Sequence, residues 1–135
     1  MHEQPVLIYA DFPDPCVIVH DDTCYMTSTS MHYMPGIPIL ASEDLRHWRR
    51  HSYVYQAFEN NAAHHLENKK NIYAQGSWAT SFVCYEDIFY LCFNSNDTGN
   101  TYIYKTDSLE SAKWQRHVLL GPRHDPSLLF YADRL

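Results

Sequence analysis

Short runs in which apolar and polar side chains alternate, each closed by an acidic or Asn/Gly turn, make up most of the chain. They occupy Cys16 to His20, Cys24 to Thr29, Ile37 to Ser42 and Trp48 to Tyr55, then Ser81 to Tyr85, Phe89 to Ser95, Thr101 to Lys105 and Gln115 to Leu119. Val, Ile, Tyr, Phe and Thr dominate these runs. Asp21-Asp22, Glu86-Asp87 and Asp97-Thr98-Gly99-Asn100 punctuate them. Alternation of period two bounded by turn residues predicts strands and hairpins, and no helical periodicity competes with it.

The second set of four runs repeats the first. Asp21-Asp22-Thr23-Cys24-Tyr25-Met26 aligns with Glu86-Asp87-Ile88-Phe89-Tyr90-Leu91, and Ser42 to His51 aligns with Thr106 to Leu109 and Lys113 to His117. The spacing is about 65 residues, and a period of this kind marks equivalent structural units. Each unit is a four-stranded antiparallel blade, and Ser127 to Tyr131 reads as the opening strand of a third. The expected fold class is therefore all-β, a partial β-propeller of a kind that closes with about four to eight blades. The whole chain, 1–135, reads as one incomplete propeller domain. Blade 1 covers about 14–57, a loop about 58–75, blade 2 about 76–120, and the start of blade 3 about 124–135. A sandwich of two packed sheets also accommodates this many short strands; the repeat, turns included, favours blades.

Composition narrows the partners. A net charge of −6 with ten Lys and Arg and no basic stretch argues against nucleic acid. No apolar run is long enough for a membrane-spanning helix. The amino terminus lacks the basic and apolar segments of a signal peptide, and the four cysteines, Cys16, Cys24, Cys84 and Cys92, sit in strands as expected buried free thiols rather than as a zinc-binding pair. Together these point to a cytoplasmic location. No metal or cofactor is expected: His47 and His51 are four apart, but on a strand that spacing does not converge on a metal. His64-His65 falls in the polar stretch between the blades and reads as a solvated loop shaping a cleft.

Candidate chemistry lies where the blades begin. Asp14 in Asp11-Phe12-Pro13-Asp14-Pro15 precedes the first strand, and Asp125 in His124-Asp125-Pro126-Ser127 precedes the first strand of the third unit. Innermost strands line the axis of a propeller, so the two carboxylates are expected to face one pocket. The following proline is expected to hold each Asp extended. Asp-Pro is also a common turn pair, and its recurrence in register is what raises it above that reading.

The ordered set Ala10-Asp11-Phe12-Pro13-Asp14-Pro15, Tyr25 to His32, Met34-Pro35-Gly36-Ile37-Pro38-Ile39-Leu40, Ser42-Glu43-Asp44-Leu45 with Trp48, Gln75-Gly76-Ser77-Trp78-Ala79, and Asp125-Pro126-Ser127-Leu128-Leu129-Phe130 resembles the beginning of glycoside hydrolase family 43. That resemblance implies a five-bladed propeller that hydrolyses β-xylosides or α-L-arabinofuranosides with inversion. Asp14 matches the general base and Asp125 the residue that orients the general acid and tunes its pKa. Such a base holds water on the sugar face opposite the leaving group, about 6.5–9.5 Å from the acid. A carboxylate beside the acid keeps that acid protonated. Trp78 matches an apolar wall of the sugar subsite, with a blade-anchoring core Trp as its other reading. Met31 and His32 match the loop bordering the glycone, where His32 either bonds a sugar hydroxyl or lies on a surface loop. Phe12 is expected to pack beside Asp14, and Trp48 and Trp114, at repeat-equivalent positions, to be blade-packing residues.

The resemblance also implies that the family's catalytic Glu lies in a later part of the third blade, beyond the residues present. A chain of this extent is expected to be weakly active or inactive alone, with xylo- or arabino-saccharides as ligands, and to self-associate or be completed by a complementary chain. The other functional reading is a non-catalytic carbohydrate-binding or interaction module.

Overall fold

A computed structural model describes residues 7–110 and 113–132. Eight strands form two antiparallel sheets: β1 (Cys16–His20), β2 (Thr23–Thr27), β3 (Gly36–Ser42) and β4 (Arg49–Tyr55), then β5 (Ser81–Tyr85), β6 (Ile88–Ser95), β7 (Asn100–Thr106) and β8 (Gln115–Leu119). Strands follow sequence order in each sheet. Both inner hairpins turn on two acidic residues with φ positive at each: 45° and 58° at Asp21 and Asp22, 49° and 58° at Glu86 and Asp87. Positive φ at both positions is what a type I′ turn demands, and its twist matches that of the flanking strands. The repeat seen in sequence is thus a repeat of backbone conformation.

Between the sheets lies one apolar core, built from Ile37, Ile39, Val54 and Tyr55 of the first sheet and Phe82, Phe89, Leu91, Phe93, Tyr102 and Tyr104 of the second. The two sheets approach each other most extensively at their first strands. There the Phe82 N–H donates to Cys16 Sγ at 3.4 Å, and Cys84 Sγ lies 3.6 Å from His20 Nδ1. Adjacent first strands, with each later strand paired outward in turn, are the arrangement of neighbouring propeller blades. Trp114 packs against this core, as expected, while Trp48 is half-buried in a surface depression with Asp44 and His47.

Three expectations change. Of the expected strand Ser127 to Tyr131, residues 127–130 pair in no ladder and Tyr131 makes only an isolated bridge. The segment sits where an inner strand of a third blade belongs, against β5, with Phe130 stacked 4.4 Å from Tyr85 and the Leu128 N–H donating to Ser81 Oγ at 3.1 Å. A strand needs a hydrogen-bonded neighbour, and none flanks this segment among the described residues. His64 is not solvated: its side chain is 5% exposed, packed against Phe58 and 3.7 Å from the Asp97 carboxylate. Only Cys92 of the four thiols is fully buried; Cys16, Cys24 and Cys84 are half-buried. No helix among the described residues is long and apolar enough to cross a membrane.

Candidate functional site

The entries to β1 and β5 and the exits of β2 and β6 meet at one rim of the two sheets. Hydrogen bonds knit them. The Thr29 N–H donates to Pro13 O at 3.1 Å, and its Oγ1 donates to Asp14 Oδ2 at 2.9 Å. Ser30 and Ser77 hydroxyls meet at 2.8 Å, as do those of Thr27 and Thr80. The Met31 N–H donates to Ser77 O at 2.9 Å, and the Trp78 N–H to Asn94 O at 2.9 Å. Asn94 Oδ1 in turn accepts from the Arg123 N–H at 3.2 Å. A continuous polar seam therefore runs from Asp14 through Met31 and Trp78 to the segment carrying Asp125.

Both aspartates have positive φ, 50° at Asp14 and 45° at Asp125, rather than the extended conformation expected ahead of proline. Proline disfavours the right-handed helical region for its predecessor, and Asp is one of the few L-residues that visits the left-handed one readily. At Asp14 the Thr29 hydroxyl holds the resulting turn. Shared conformation at matching places in two units strengthens the equivalence that the sequence indicated. Asp14 is exposed, and Asp125 is 65% exposed with His124 Nε2 3.4 Å away.

Close approach of the two blades depends on Gly76. With φ at 81°, it lies so near the preceding blade that a Cβ would stand 2.2 Å from Met31 O. Only glycine combines that φ with that contact. The other seat without room for a side chain is Gly36, where an added Cβ would stand 2.1 Å from the Tyr55 ring. Burial pushes the Tyr55 phenol pKa up, with the Ser77 and Ser30 hydroxyls partly opposing it.

Met31 lies beside the Ser77-Trp78 turn through its backbone bonds with Ser77. Met31 is half-buried with φ of 46°, and His32 is half-buried between the rings of Tyr33 and Tyr73, at 4.4 and 4.9 Å. The Ala74 N–H donates to His32 Nδ1 at 3.2 Å. Trp78 is half-buried, and its Nε1–H is enclosed without a partner. Phe12 is half-buried and, with Asp11, Thr29, Tyr33, Arg50 and Tyr53, helps line a cavity of about 380 Å³. The rim thus offers one anchored carboxylate, aromatic and thioether walls, and neutral hydrogen-bonding groups.

The hydroxyl seam itself went unread in the sequence. Its signal was the run Thr27-Ser28-Thr29-Ser30, polar residues that are all buried, where a strand tip ordinarily turns to solvent. Among the described residues no three His, Cys, Asp or Glu side chains converge to hold a metal ion. Glu59 pairs with Arg116 at 2.9 Å, and Glu110 Oε1 lies 3.3 Å from His51 Nε2.

Comparison with known proteins gives a consistent picture. The family model for glycosyl hydrolases family 43 matches residues 3–134. A β-xylosidase of Formosa agariphila is 26% identical over 131 residues, which are 94% of this chain and 22% of that protein. A non-reducing end α-L-arabinofuranosidase of Bacteroides ovatus is 27% identical over 126 residues, 91% of this chain and 23% of that protein. Among solved structures, a bifunctional GH43-CE protein of Bacteroides eggerthii superposes with a TM-score of 0.88 at 39% identity, covering 94% of this chain and 18% of its own. The chain spans 22% and 23% of the length of those two curated relatives.

Proposed function

The chain belongs to glycosyl hydrolases family 43, and on that premise we propose that it carries the water-activating side of an inverting glycosidase site for xylosides or arabinofuranosides. The observation that carries this reading is Asp14: a carboxylate at the blade rim, fixed by the Thr29 hydroxyl and joined through the seam to Trp78. Asp14 accepts a proton from water as the water oxygen bonds to the anomeric carbon. The glycosidic C–O bond breaks, and the departing oxygen takes its proton from a general acid. Asp125 orients that acid and keeps it protonated. Trp78 and Met31 cover the apolar face of the sugar, Phe12 packs the entrance beside Asp14, and His32 bonds a hydroxyl.

The acid is assigned to no described residue, since none of the glutamates present stands in the family's acid motif. The same observation favours a second reading, a rim that binds saccharide without cleaving it. Assay of the protein against aryl β-xyloside and aryl α-arabinofuranoside separates the two. Hydrolysis that falls about 10²–10⁴-fold in Asp14→Asn supports the base. Hydrolysis unchanged in that variant sinks it, and saccharide binding without hydrolysis supports the second reading.

A further inference from the structure

Beyond Met31 and His32, the loop between the blades folds back to border a second, open cavity of about 690 Å³, lined by His32, Met34, His64, Leu66, Asn71, Ile72 and Tyr73. Its volume falls within the range of small-molecule sites, about 300–1,000 Å³. None of these residues is Asp, Glu, Lys or Arg. With both histidines neutral, a phosphate or carboxylate would find no cationic partner among the lining residues, and the nearest carboxylate, that of Asp97, lies behind His64 at 3.7 Å. A purely hydrocarbon ligand would strand the amide and imidazole groups unsolvated, which is costly.

The polar groups have fixed roles. His32 Nδ1 accepts from the Ala74 N–H at 3.2 Å, so in the neutral ring Nε2 carries the proton and donates. Asn71 Oδ1 accepts from the Tyr73 N–H at 3.0 Å, which leaves its Nδ2 as a donor. Tyr73 is 74% exposed yet held beside His32, a preset aromatic surface at the mouth. Met34, Leu66 and Ile72 supply the apolar remainder. A floor is set by His64, held through Nδ1 to Asn61 Oδ1 at 3.0 Å and buried to 5% exposure.

We propose that this cavity is a distal saccharide subsite, holding a second neutral pentose unit of an oligosaccharide whose first unit lies at Trp78 and Asp14. A sugar ring offers what the lining asks for: no charge, a CH face for Tyr73, and hydroxyls that accept from His32 Nε2 and Asn71 Nδ2. His32 belongs to both places, since its backbone follows Met31 at the rim and its ring lines the cavity. The inference rests on the rim binding a sugar, and the test reads the two separately.

Xylose, xylotriose, arabinose and arabinotriose are titrated into the protein by calorimetry, with Trp78→Ala, Tyr73→Ala, Tyr73→Phe and Leu66→Glu variants. Leu66 is 72% exposed, so a charge there enters the cavity wall without disturbing the core. One trisaccharide is expected to bind about tenfold or more tightly than its monosaccharide. Tyr73→Ala and Leu66→Glu are expected to remove that preference, and Tyr73→Phe to retain it. A trisaccharide no tighter than the monosaccharide, or a preference untouched by Tyr73→Ala and Leu66→Glu, overturns the subsite while leaving the rim reading intact. Conversely, a Trp78→Ala variant that binds every sugar as before, with the Tyr73 dependence preserved, overturns the rim reading and leaves the cavity as a saccharide site in its own right.

Discussion

At the residue scale, Thr29 matters to the proposed chemistry only through Asp14. Its Oγ1 donates at 2.9 Å to the carboxylate that is to hold water. A hydrogen bond to a charged group contributes about 1.5–3 kcal/mol, so Thr29→Val is expected to lower kcat about ten- to a hundredfold with little change in KM, and Thr29→Ser to restore it. A purely structural role would instead lower the melting temperature and spare kcat. Asp44 offers a pH test away from the site. Its carboxylate takes the Arg46 and His47 N–H groups at 2.8 and 2.7 Å and the His47 ring at 2.6 Å. The backbone bond from His47 comes first among the causes that hold its pKa well below the ordinary 3.8. A depressed carboxylate stabilises the fold above its unfolded pKa and loses that contribution as pH falls through the folded value. The gap between parent and Asp44→Ala in thermal melts is therefore expected to be full at pH 7 and to shrink steadily below pH 3.8; a gap constant down to pH 2 contradicts it. Burial pushes Cys92 up to about 11. Alkylation at pH 8 is expected to spare it in the folded protein and to reach it on unfolding.

At the element scale, β6 and β7 hold the centre of the core. Phe93 is fully buried, stacked on Tyr102 at 5.4 Å and Tyr104 at 5.7 Å, with Phe58 of the interblade loop 5.6 Å away. Truncation of a buried Phe costs about 3–5 kcal/mol, and Phe93→Ala is expected to lose that much in a urea melt. In the first sheet, β3 begins where the Tyr55 ring of β4 lies over Gly36. A methyl group there displaces the ring, and overpacking of this kind costs about 1–3 kcal/mol. Gly36→Ala is thus expected to destabilise, and a companion Tyr55→Val to recover part of the loss; a Gly36→Ala protein as stable as the parent would show that the ring has another place to go.

At the scale of the whole molecule, the two sheets share one core and a seam of paired hydroxyls, so neither buries its apolar face alone. Trp48 flanks the first sheet and Trp114 packs against the shared core. Fluorescence of Trp48-only and Trp114-only variants is expected to report one coincident unfolding transition, and two separated midpoints would show that the blades melt independently. Arg116 adds a further clasp, donating from β8 to Phe58 O at 3.3 Å and to Glu59 at 2.9 Å across the interblade loop.

The order of residues determined the strands, the acidic hairpin turns and the repeat, because period-two alternation and turn chemistry are local properties that each stretch carries by itself. It marked Asp14, Asp125, Trp78, Met31 and His32 as candidates by motif, and the entries to the blades meet at one rim. What it could not contain was anything requiring two distant stretches to meet. The Ser30–Ser77 and Thr27–Thr80 contacts join residues from different repeats, so nothing local marks Thr27 to Ser30 for burial. The burial of His64 depends on Phe58 and Asp97, again from separate elements. The positive φ of Asp14 reflects a turn closed by Thr29, fifteen residues on, against a local rule that favours extension. Local energetics wrote the strands; only packing between the blades decided which polar groups would be buried, paired and turned toward a ligand.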